Sequence, residues 1–105
     1  MDKNELLEYI DANSSAITVF KDKVRSDQEA TNKKRQPAKR WNDARIERQV
    51  DKYTDEFISN VYDKLSKGVK ATRSTPREKW VAFIESNEIL DSLEESVSMM
   101  EIGED

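Results

Sequence analysis

Between Ile46 and Leu65 an apolar or aromatic side chain returns every three or four residues: Ile46, Val50, Tyr53, Phe57, Val61 and Leu65. That step matches the α-helical turn and gathers all six on one helix face. Ile58 and Tyr62 widen the stripe in the last turns, as in a helix covered on more sides toward its C-terminal half. With two glycines and two prolines in 105 residues, the chain has few breakers, which favours helices over turn-rich sheet throughout.

The same period appears on either side of this segment. Near the N-terminus Leu6, Ile10, Ile17, Phe20 and Val24 continue it, with Asn13 in the vacant slot. Asn13-Ser14-Ser15 reads better as the end of one helix and the cap of the next than as helix interior. A helix pair is therefore expected over 1–32, beginning at an Asn4 cap; the alternative is one seam in which Asn13 sets the register of a self-associating helix. Residues 26–37 hold no large apolar side chain, and Pro37 pushes Gln36 out of helical geometry. An exposed helix end should lead into a basic linker over 33–40.

The central helix is assigned to 41–68, with Gly68 as its C-terminal cap and Lys64 and Lys67 in its last turn. Thr75-Pro76-Arg77-Glu78 reads as the start of a C-terminal helix over 75–100, with Thr75 as N-cap and Glu78 closing a capping box. Its apolar face comprises Trp80, Phe83, Ile84, Leu90, Leu93 and Val97, with a candidate break at Ser86-Asn87, and residues 101–105 form an acidic tail. The predicted architecture is a single all-α domain spanning 1–105. It is a small bundle in which a long central helix hairpins with the C-terminal helix and the N-terminal helix or helix pair packs alongside.

Charge is strongly segregated beneath a net value of −4. Residues 33–48 carry +5, whereas residues 80–105 hold eight carboxylates and no lysine or arginine. Absence narrows the chemistry further. Without histidine or cysteine the chain lacks the usual general base, the activated thiolate, disulfides and the commonest metal ligands. Its carboxylates show no metal-binding spacing, and the isolated Gly68 and Gly103 form no phosphate loop. No enzyme activity, cofactor, metal or small-molecule substrate is expected. No apolar run is long enough to cross a membrane, and the expected location is the cytoplasm, that of the host for a virus-encoded chain.

The expected function is association. Ile, Leu, Val and Phe make up 22 of the 105 residues, close to the roughly one-fifth below which chains tend not to fold alone. A core this thin favours a homo-oligomer or a partner protein whose activity the chain modulates, with Ile46, Val50, Tyr53, Phe57 and Val61 as the association face. The alternative is an oligomeric nucleic-acid-binding protein that grips phosphates with Lys33, Lys34, Arg35, Lys39, Arg40, Arg45 and Arg48, and stacks or wedges Trp41 against bases. The same eight residues serve a partner protein under the first reading, with Trp41 as its anchor. KKRQPAKR, residues 33–40, is similar to nuclear localisation signals, which implies a nuclear location only for a eukaryotic chain.

Overall fold

The computed structural model describes residues 1–100 and is all-helical, with a long central helix packed among the others. Five α-helices occur among these residues: α1 (Lys3–Asn13), α2 (Ala16–Lys33), α3 (Asp43–Val69), α4 (Arg77–Ser86) and α5 (Ile89–Met99), with a 3-10 turn at Pro37–Lys39. The acidic tail over 101–105 lies outside the described residues.

Helix α1 begins one cap earlier than expected. The Asp2 carboxylate accepts from the Glu5 N–H, and the Glu5 carboxylate accepts from the Asp2 N–H, each at 2.8 Å. Asn4 cannot match this reciprocal box, because Leu7 stands where the returning carboxylate is needed. The expected break does occur at Asn13, and α2 then starts with borrowed help. The Glu94 carboxylate from α5 accepts from Ser14 Oγ at 2.6 Å and from the Ser15 N–H at 3.3 Å. A negative charge thus sits at the positive end of the α2 dipole. At the C-terminal end of α5, Lys23 Nζ donates to the Ser98 and Met100 carbonyls at 2.8 and 3.0 Å.

The central helix starts later than expected, at Asp43, because Asn42 is the better cap: its side chain accepts from the Arg45 N–H at 2.9 Å. It also runs on through Gly68 to Val69 and closes at Lys70, whose φ is 58°. Gly68 serves packing instead of capping, since a β-carbon there would lie 2.6 Å from Phe83 Cζ. The C-terminal helix expected over 75–100 is two helices, divided at Asn87 and at Glu88, which takes a φ of 51°. Thr75 does not close a capping box with Glu78; its hydroxyl accepts from the Thr72 N–H at 2.8 Å and fixes the connector.

One core holds the chain together. Leu6, Ile10, Ile17, Phe20, Val24, Ile46, Val50, Ile58, Leu65, Trp80, Ile84 and Val97 are buried and draw on all five helices. The buried row of α3 is Ile46, Val50, Thr54 and Ile58, a strict four-residue step that turns Tyr53 outward to 41% exposure. Thr54 is tolerated inside because its hydroxyl donates to the Val50 carbonyl at 2.7 Å. Phe57, half-buried, stacks on Phe20 with ring centroids 4.4 Å apart, and Tyr62 stacks on Trp80 at 5.2 Å.

Candidate functional site

Helices α2 and α3 run antiparallel, tied by Arg25, whose Nε donates to Glu47 Oε2 at 2.6 Å and Nη2 to Oε1 at 3.1 Å. Since α5 ends beside Lys23, the pair continues past it as a two-helix arm of a molecule 51 Å long. The tip of that arm gathers the basic residues. Lys33 closes α2, Lys34 and Arg35 form the turn, Lys39 ends the 3-10 turn, Arg40 follows it, and Arg45 and Arg48 occupy the first two turns of α3. Ion pairs among the described residues join Lys3 to Asp55 and Arg25 to Asp22 and Glu47, and none reaches these seven cations.

The segment expected as a linker is a folded turn. Asn32 brackets Trp41, accepting from its N–H at 2.8 Å and donating to its carbonyl at 2.9 Å. Arg40 reaches back to the end of α2, where its guanidinium donates to the Lys33 and Arg35 carbonyls at 3.2 Å each. Those carbonyls have no partner within the helix, so Arg40 satisfies them and places positive charge at the negative end of the dipole. Pro37 supplies the fixed φ that opens the 3-10 turn.

Trp41 is half-buried at the base of this turn. The Arg35 and Arg45 guanidinium carbons lie 4.0 and 4.1 Å from its ring centroid. Both cations therefore engage the π-system of the same ring. Arg35 is held further by Nη1, which donates to Asn32 Oδ1 at 3.0 Å. The indole is a shared support for two cations, and its π-system is already engaged within the chain. Lys33, Lys34 and Lys39 stand exposed around this frame.

The association face is placed differently from the basic residues. Ile46 and Val50 are inside the chain's own core, Phe57 packs on Phe20 and Val61 is half-buried; only Tyr53 is largely exposed. No complete apolar seam remains on α3 for a second copy. What does remain is a groove of about 370 Å³ between α3 and α5, lined by Phe57, Val61, Leu65, Ile89 and Leu93. The second basic cluster, from Lys64 to Lys79, surrounds the connector at the far end of α3. Among the described residues no three carboxylates gather to hold a metal ion, and no helix is long and apolar enough to cross a membrane.

Sequence reasoning missed Asn32 as the residue that orders the tip. Its only signal was a polar side chain nine residues before an aromatic one, which many chains contain. No protein-family model, no curated protein and no solved structure matches this chain.

Proposed function

We propose that this chain is a non-enzymatic interaction protein that docks on a polyanionic partner with the tip of its α2–α3 arm. The observation that carries this reading is the gathering, at the tip of the arm, of seven cations that no ion pair among the described residues reaches. Like charges so close repel one another, and a chain of net charge −4 has carboxylates available to neutralise them. Instead its internal contacts satisfy the tip's backbone and leave Lys33, Lys34 and Lys39 uncovered. A preformed turn loses little backbone freedom when a partner binds.

Self-association along α3 has less support, because Ile46 and Val50 are already buried within one chain. Heparin chromatography at neutral pH tests the proposal. The chain should be retained, and Lys33→Glu, Lys34→Glu and Lys39→Glu together should abolish retention. Flow-through of the unaltered chain, or equal retention of the triple variant, overturns it.

A further inference from the structure

We infer that the polyanion is double-stranded nucleic acid, gripped along its phosphate backbone without base reading. The inference rests on the docking role proposed for the tip and names the partner class. Three observations separate a duplex from other polyanions. Protein interfaces depend on desolvated aromatic or aliphatic anchors at their centre. The tip offers no exposed one: its one aromatic ring is half-buried and carries the Arg35 and Arg45 guanidinium groups. Among the described residues the exposed large hydrophobic side chains, Tyr53 and Met99, lie outside residues 33–48.

The same indole argues against a single strand. Binders of unpaired bases present open aromatic faces for stacking, whereas the Trp41 ring is already engaged by two guanidinium groups. What the tip does present is polar and positive, the character of a protein–DNA contact surface. Arg35 and Arg45 are held against a rigid ring, and the N–H donors of Arg45, with those Arg35 does not give to Asn32, suit phosphate oxygens. Lys33, Lys34 and Lys39 add mobile charges, and Arg48 extends the contact one turn along α3. Backbone contacts of this kind position a protein on a duplex but carry no sequence information.

The test compares a mixed-sequence DNA duplex of about 20 base pairs with a polyglutamate peptide of equal charge by fluorescence anisotropy. With five to seven phosphates neutralised, duplex affinity should fall about a thousand-fold between roughly 50 and 200 mM salt. Lys33→Glu, Lys34→Glu and Lys39→Glu together should weaken duplex binding more than about tenfold and flatten the logarithmic salt slope by about three. These lysine side chains make no contact that holds the turn, and circular dichroism checks that the variant stays folded. Lys64→Glu with Lys67→Glu, at the far end of α3, should leave duplex affinity within about twofold. Polyglutamate bound as tightly as the duplex overturns the nucleic-acid inference while leaving the docking role intact. So does heparin retention without duplex binding. Equal losses from the two sets of lysines overturn the assignment to the tip.

Discussion

Asn32 and Trp41 bond to each other twice, side chain to backbone, at 2.8 and 2.9 Å. The amide of Asn32 thereby imitates one rung of a β-ladder and closes the turn between two helices. A side-chain amide carries a donor and an acceptor on one planar group and so can do both. Asn32→Ala leaves the Trp41 N–H and carbonyl unpartnered in a half-buried site, which costs about 1–3 kcal/mol. At about 4–8 °C per kcal/mol for a chain of this size, thermal unfolding followed by circular dichroism should show a clear drop in Tm. A Tm unchanged within error would mean that Arg40 alone closes the turn.

Gly68 tests packing against propensity. Alanine is the better helix former by about 1 kcal/mol, so on propensity alone Gly68→Ala in α3 stabilises. The Phe83 ring opposes it, with Cζ, Cε2 and Cε1 at 2.6, 3.1 and 3.3 Å from the new β-carbon. Displacing the ring from the α3–α4 contact costs about 1–3 kcal/mol, so Gly68→Ala should lower stability overall. Combining it with Phe83→Leu should cost less than the two single changes added together. Additive losses in urea denaturation would show that the ring moves aside freely.

The class and order of elements were legible because apolar spacing alone carries them. Ile46, Val50 and Leu65 mark the central helix, and Asn13-Ser14-Ser15 marks a break. Three features were not legible because each depends on a group remote in sequence. Glu94 caps α2 across 80 residues to Ser14, Gly68 answers to Phe83, and Thr75 turns its hydroxyl to Thr72 instead of its own helix. Thr54 was passed over for a different reason. Polar by type, it enters the core only because it bonds its own backbone at Val50. The basic residues of the tip were legible as a charge run, whereas their ordering was not, since Asn32 and Arg40 act on atoms of the main chain.

Phe57 separates a core residue from an interface residue. Its ring stacks on Phe20 at 4.4 Å and 17°, so Phe57→Asp places a carboxylate against an aromatic face in the same chain. Loss of the stack and of half-buried apolar area, with partial desolvation of the new charge, should cost about 3 kcal/mol or more. Unfolding should shift to lower denaturant concentration, while Lys33→Ala should leave it in place. Size exclusion with light scattering adds the decisive readout. A folded Phe57→Asp chain of reduced mass would restore the association face on α3, whereas destabilisation at constant mass places Phe57 in the fold.

The Arg25–Glu47 pair gives the arm a defined response to acid. The hydrogen bond from Arg25, followed by the charges of Arg25 and Lys21, holds the Glu47 carboxyl below the ordinary range. A carboxyl depressed in the folded state binds protons less readily there than in the unfolded chain. Its contribution is therefore fully present above the unfolded value of about 4.3 and is lost as pH falls through the lower folded value. Glu47→Gln should have a lower Tm than the unaltered chain at neutral pH, with a gap that closes on acidification below about pH 4. The pair is exposed, so added salt should narrow the same gap at neutral pH. A carboxyl NMR titration gives the direct check: Glu47 should titrate below the ordinary glutamate value and move up toward it in Arg25→Gln. A gap that persists at low pH would assign the effect to packing of the two side-chain stems instead of their charge.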